Sequence, residues 1–216
     1  MAFLPVTRQE LIQKGIETPD FVFVTGDAYV DHPSFGVSIL SRLLEHHGYT
    51  VAILPQPDIN GTKDLTRFGR PKLGFLVTSG NIDSMVSHYT VAKKRRSHDV
   101  YSAGGKTGKR PDRAVLVYTR RLKQLYPDCP VIIGGLEASL RRFAHYDYWD
   151  DCVRPSILID SGADLLTYGM GENQTLAIAQ RLKEGLPIAA LYDIRGVCYA
   201  VPTKEYVPTS VCECPS

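Results

Sequence analysis

The sequence predicts an open, mostly parallel α/β sheet with helices on both faces. Two observations carry that prediction. Short aromatic and β-branched runs alternate with longer stretches of helical periodicity, the order that parallel strands with right-handed crossovers produce. The segments that follow strands are rich in Gly, Ser, Asp, Glu and Asn, whereas those that precede strands are plainer.

The elements follow in chain order. FVFVTGD (21–27) is the first strand. FGVSILSRLLEHHG (35–48) is a helix, with Val37, Leu40, Leu43 and Leu44 at helical spacing and Gly48 as its stop. YTVAILP (49–55) is the second strand, closed by Pro55, and LGFLVTSG (73–80) is the third. PDRAVLVYTRRLKQLYP (111–127) opens on Pro-Asp and stops at a proline, as a helix should. PVIIGG (130–135) and ADLLTYG (163–169) are the fourth and fifth strands. ENQTLAIAQRLKEG (172–185) is an amphipathic helix with a terminal glycine, and IRGVCYAV (194–201) reads as an edge strand. The expected arrangement is Rossmann-like, with five main strands in the flavodoxin-like order.

Two stretches break the alternation, about 81–110 and 141–162. Both read as insertions, and loops this long in a compact domain are more often functional than idle. The expected domain spans 1–201, and PTKEYVPTSVCECPS (202–216) is expected to be a linker toward a missing C-terminal part.

Composition narrows the function classes. The chain has 216 residues, 44% hydrophobic and 22% charged, with a net charge of +2. That length sustains a core without disulfide or metal staples. No apolar run approaches the ~18 residues of a membrane helix, and no basic, then apolar, leader opens the chain. Five scattered cysteines, an odd number, read as reduced and therefore cytoplasmic usage. Charge is uneven: 93–113 holds eight Lys or Arg and two Asp, a local +6, which leaves 2 − 6 = −4 elsewhere. That basic insertion suits contact with phosphate or RNA, or else a solvated loop or interface.

Four loops meet at the carboxyl edge of the predicted sheet: GDAYVDHPSFG (26–36), TSGNIDSMVSHYT (78–90), GGLEASLRR (134–142) and GMGENQ (169–174). Ligands bind at that edge in open α/β sheets. The candidate rim residues are Asp27, Asp31, His32, Ser79, Asn81 and Asp83 in the first two loops. Gly134, Gly135, Glu137, Ser139, Gly171 and Glu172 are those in the last two. The serines and glycine N–H groups are the expected hydrogen-bonding partners of a ligand. Glu137 and Glu172 open helices, where the dipole favours a carboxylate in any case.

The familiar single motifs fail. GMGENQ has Gln174 where a third glycine of GxGxxG belongs, and SAGGKTGKRP (102–111) matches a P-loop in neither register. No G-x-S-x-G supplies a nucleophile elbow, and no HxxxH or paired CxxC supplies a metal site. HYDYWDD (145–151) places His145 among Asp147, Asp150 and Asp151, which suits acid–base work. Its Tyr146, Tyr148 and Trp149 suit an interface or substrate gate equally well, and Arg141 and Arg142 belong to the same group.

Together these stretches resemble a known family. HPSFGVSILSRLLEHHGYTVAIL (32–54), VIIGGLEAS (131–139) and ADLLTYGMGE (163–172) are similar to the cobalamin-binding-like domains of radical S-adenosylmethionine (radical SAM) proteins. VTGDAYVDHPSFG, SGNIDSMVSHYTVAKKRR, GKRPDRA and GGLEASLRRFAHYDYWDD narrow the resemblance to the N-terminal region of YgiQ-type radical SAM proteins, over nearly all of 1–200. The resemblance implies an accessory domain whose rim faces a catalytic barrel, its main partner, and a substrate of unknown identity. A Cys-x-x-x-Cys-x-x-Cys motif in that barrel would hold a [4Fe–4S] cluster that cleaves S-adenosylmethionine. Residues 1–216 contain no such spacing, so no catalytic residue is expected among them. Cobalamin is left open but disfavoured. The DxHxxG pattern of cobalt-ligating histidines is replaced here by adjacent Asp31-His32, and the insertions crowd the rim. The competing reading is a nucleotide- or RNA-binding module that uses 93–113. An independent hydrolase built on His145 ranks last.

Overall fold

The computed structural model describes residues 3–201. Its six-stranded sheet has the order β2-β1-β3-β4-β7-β8. The strands are β1 (Phe21–Thr25), β2 (Val51–Pro55), β3 (Gly74–Thr78), β4 (Val131–Ile133), β7 (Leu165–Thr167) and β8 (Val197–Cys198). The first five run parallel, and β8 closes one edge antiparallel to β7. This is the flavodoxin-like order with one added edge strand.

The strand period divides the interior into two cores. Val22 and Val24 of β1 point to one face, with Val77, Ile133 and Leu166. Phe21 and Phe23 point to the other, with Leu76, Ile132 and Leu165. All five residues of β1 and of β3 are buried, as central parallel strands covered on both faces require.

α4 (Ala114–Leu125) covers the first face with Val115, Tyr118 and Leu122. α2 (Gly36–His46) and α7 (Glu172–Lys183) cover the second with Val37, Leu44, Ile178 and Ala179. Each large side chain so buried stabilises the fold by about 1.5–3 kcal/mol.

Three local features differ from expectation. A short α1 (Arg8–Gln13) precedes the sheet, opened by a reciprocal capping box between Thr7 and Glu10. α4 starts at Ala114 rather than at Pro111-Asp112, because the Asp112 carboxylate is committed to Tyr89 and His88 and Arg113 adopts a left-handed backbone at φ 51°. The stretch 141–162 is only partly an insertion. It contains an antiparallel hairpin, β5 (His145–Asp147) with β6 (Cys152–Arg154), but its last turn, α6 (Ile157–Ser161), packs on α4 and buries Ile157 and Leu158. The other insertion holds α3 (Ser84–His88), capped by the Asp83 carboxylate, and a single 3₁₀ turn at Ala103–Gly105. α5 (Gly135–Leu140) follows β4 directly. Among the described residues no helix is long and apolar enough to cross a membrane. The stretch 202–216, with Cys212 and Cys214, lies outside the described residues.

Candidate ligand cleft at the carboxyl edge

A cleft of about 290 Å³ opens at the carboxyl ends of the strands, between α2 and α7. Phe21, Phe23, Leu76 and Ile132 make its floor, and Val37, Leu40 and Ile178 its walls. Its mouth is different in chemistry: Thr78, Asn81, Thr167 and Glu172, with glycines between them. An apolar floor under a mouth with few polar groups is the usual build of a small-molecule site.

The double glycine after β4 is required by the sheet itself. A Cβ on Gly134 would lie 2.6 Å from Thr167 Oγ1 of the neighbouring strand. Gly135 has φ +82°, and a Cβ there would run into Thr78 Oγ1 of the strand on the other side. The chain leaves β4 through a gap between two threonines and presents bare backbone to the cleft.

The structure distributes the twelve rim candidates. Asn81, Gly134, Gly135, Gly171 and Glu172 line the cleft. Asp31 and His32 stand apart from it. Asp31 pairs with Arg42, and exposed His32 accepts the Ser34 N–H at Nδ1. Ser79 is turned inward, its hydroxyl donating to the Ile82 carbonyl. The Ser139 carbonyl accepts from Arg142. Asp83 is spent as the cap of α3 and as the partner of Arg141.

Asp27 and Glu137 are buried supports beneath the loops. Asp27 accepts the Asn81 N–H at 2.7 Å and lies 3.0 Å from Arg110, which also grips Asp99 and donates to the Ser79 carbonyl. Burial pushes the Asp27 carboxyl up to about 6, against the lowering effect of the Asn81 N–H and Arg110. Glu137, 1% exposed, accepts the Ser84 N–H at 2.9 Å and the Val115 N–H at 3.0 Å. It thereby satisfies one first-turn N–H in each of α3 and α4. Burial, and then nearby Asp83, raise its pKa. These two carboxylates look like ligand groups in sequence, but each has partners between 22 and 83 positions away in the chain. Nothing in the sequence distinguishes Thr167 and the apolar floor of the cleft from ordinary core.

A second cavity, about 490 Å³, lies where the two insertions meet. Arg141, His145, Tyr146, Asp147, Tyr148 and Trp149 all line it, opposite Met85, Val86, Tyr89 and Val91. Tyr89 and Trp149 are in ring contact at 4.5 Å. The Tyr148 hydroxyl donates to the Val91 carbonyl at 3.1 Å, and Lys93 donates to the Trp149 carbonyl at 3.3 Å. Asp147 is held by Arg113 and Arg154. Burial works to raise its pKa, but the Arg113 hydrogen bond and the Trp149 and Asp150 N–H groups outweigh it and hold the carboxyl below its ordinary value. Arg142 lies elsewhere, over the Phe143 and Tyr168 rings. The basic insertion is partly consumed internally: Arg110 and Arg113 are in ion pairs, and Arg96 donates to the Val86 and Tyr89 carbonyls.

Fold and edge together define a doubly wound α/β domain with a cleft at the carboxyl edge of its sheet. The chain belongs to the radical SAM N-terminal family, whose match covers residues 3–216. It is similar to UPF0313 proteins. One from Clostridium botulinum (strain 657 / Type Ba4) is 54% identical over 211 residues, 96% of this chain and 33% of that protein. One from Geobacter sulfurreducens is 54% identical over 215 residues, 100% of this chain and 36% of that protein. One from Clostridium perfringens (strain SM101) is 54% identical over 205 residues, 95% of this chain and 31% of that protein. The chain thus spans about a third of the length of the curated relatives it matches. No solved structure matches it.

The family context implies an iron–sulfur cluster, which needs a set of cysteine thiolates. Cys129 is buried, its thiol pushed up to about 11 by burial; Cys152 is exposed and Cys198 half-buried. No three His, Cys, Asp or Glu side chains come together as a metal site among the described residues. The donor set does not fit a cluster, and none of the described residues is assigned to one.

Proposed function

We propose that the chain is the N-terminal accessory domain of a longer radical SAM enzyme, with its carboxyl-edge loops facing the catalytic barrel and the substrate. The observation that carries this reading is the exposure of large apolar side chains on that edge. Leu136 and Leu140 of α5, Phe143, Tyr146 and Met170 are 46–80% exposed. Such a concentration around a cleft is characteristic of a surface that another surface covers. The family and the length of the relatives support it. On this reading the cluster and S-adenosylmethionine are held by the rest of the protein. The residues here bind, orient and keep water from the reacting group. Purification of the full-length protein without oxygen tests the proposal. It should carry a [4Fe–4S] cluster and form 5′-deoxyadenosine from S-adenosylmethionine, and absence of both would overturn it.

The α2/α7 cleft would take a flat apolar group with a hydrogen-bonding end at the glycine-lined mouth. Cobalamin is one occupant to test. Its cobalt would gain no histidine from the cleft lining, because His32 stands outside it. Titration of the chain with hydroxocobalamin and methylcobalamin, read by visible absorption and co-elution, decides the matter. Stoichiometric co-elution makes the cleft a cofactor site. No binding at high micromolar ligand, by this chain and again by the full-length protein in which the barrel would complete the edge, removes cobalamin.

A further inference from the structure

We infer that the groove between the two insertions seats an extended apolar segment with acidic flanks. That segment belongs to the two thirds of the relatives' length that this chain does not span. The inference rests on the accessory-domain reading and specifies which part of the carboxyl edge the rest of the protein grips.

The groove is built, yet empty of its own side chains. The Tyr148–Val91 and Lys93–Trp149 hydrogen bonds and the Tyr89–Trp149 ring contact tie the two insertions into one surface. Ordering loops costs entropy, which burial normally offsets. Here Val91 stays 89% exposed, Leu140 63%, Tyr146 60% and Val86 59%. Those apolar groups are held in place without burying themselves, the arrangement expected of a docking surface that is completed by something else.

Charge selects the occupant. The carboxylates lining the groove, Asp83 and Asp147, are neutralised by Arg141, Arg113 and Arg154. Lys94, Arg95 and Arg96, on the segment that forms the lip, are exposed. An apolar segment flanked by acids complements that distribution. A second copy of this chain would bring basic lip against basic lip. Single-stranded nucleic acid would need free ring faces for its bases. Here Tyr89 leans on Trp149, and Lys93 lies over the Tyr148 and Trp149 rings at 4.6 and 5.5 Å. Met85, Val86, Val91 and Leu140 make most of the remaining wall, beside Tyr146 and His145, and a mostly aliphatic surface suits a polypeptide.

Hydrogen–deuterium exchange on the full-length protein and on this 216-residue chain tests the inference. Residues 86–96 and 145–150 should exchange at least tenfold more slowly in the full-length protein. Val91→Asp with Leu140→Asp should abolish that protection. Both positions are exposed, so the domain itself should keep its fold, checked by circular dichroism. Equal rates in the two proteins, or protection unmoved by the double substitution, would overturn the inference. Protection confined to 134–136 and 169–172 would leave the accessory-domain reading standing and remove this one. No gain on either set would remove both. Protection that grows with the concentration of this chain alone, or that appears only with single-stranded RNA, would assign the groove to those partners instead.

Discussion

Replacing Glu137 should unfasten two helices at once. Its Oε2 accepts from Ser84, the first residue of α3, and its Oε1 from Val115, in the first turn of α4. N–H groups in a first turn have no partner within their own helix. Glu137→Ala leaves both donors buried and unmet, at about 1–3 kcal/mol each, and opens a cavity as well. Removing a carboxylate that burial disfavours returns part of that loss. The expected net loss is about 2–5 kcal/mol. Glu137→Gln keeps one acceptor and turns an NH₂ toward the other N–H, so its expected loss is about 1–3 kcal/mol. Urea unfolding followed by circular dichroism measures both. The midpoints should rank Ala below Gln below the unmodified chain. The folded pKa of Glu137 lies above the ordinary value of 4.5. Its protonation therefore contributes stability that is full below that value and lost as pH rises through the folded pKa, a component the Gln variant lacks. A Gln variant as stable as the parent, or Ala and Gln variants within about 0.5 kcal/mol of each other, would refute the two-helix role.

Three further outcomes follow from the same structure. The Asp27 carboxyl is raised from 3.8 to about 6, which at 1.36 kcal/mol per pH unit corresponds to about 3 kcal/mol. That stability is full below 3.8 and lost as pH rises through 6, so the chain should lose stability relative to Asp27→Asn between pH 4 and 7; a constant difference in urea midpoints would contradict this. Gly135→Ala should cost more than the ~1–2 kcal/mol of a left-handed backbone, because its Cβ also meets Thr78. Gly36→Ala, with open space around its Cβ, should instead stabilise by about 0.4–1 kcal/mol, as thermal unfolding of the pair would show. Gly36→Trp should fill the cleft mouth without unfolding the domain and abolish binding of any ligand found there, by titration; unchanged affinity would place that ligand elsewhere.

The elements legible in the sequence are those with a long, clean period. FVFVT reads as a buried strand and is one, and the α2 and α7 patterns place Val37, Leu44 and Ile178 inward as found. Alternation and handedness favour the flavodoxin-like order without fixing it, and the order itself comes from the structure. α1 was missed because six residues with one buried leucine carry no periodicity, although Thr7-x-x-Glu10 spelled a capping box. The β5–β6 hairpin has three-residue strands and a turn without the Asn-Gly type of signature. At the rim, the glycine pair was readable as a close backbone approach, although the threonines that require it, Thr78 and Thr167, lie on the neighbouring strands. The roles of Asp27 and Glu137 were not, since they depend on Arg110, Ser84 and Val115, which only the fold brings near. Carboxylates beside glycines look alike in sequence whether they face a ligand or brace the loop beneath it.

The most direct test of the account is complementation between separately expressed parts. The remaining two thirds of a full-length protein would be prepared without oxygen and assayed for 5′-deoxyadenosine formation, alone and with this 216-residue chain added. The account predicts that the two parts co-elute and that adding the chain raises turnover in proportion to the complex formed. Two parts that never associate, with turnover the same in either case, would contradict it.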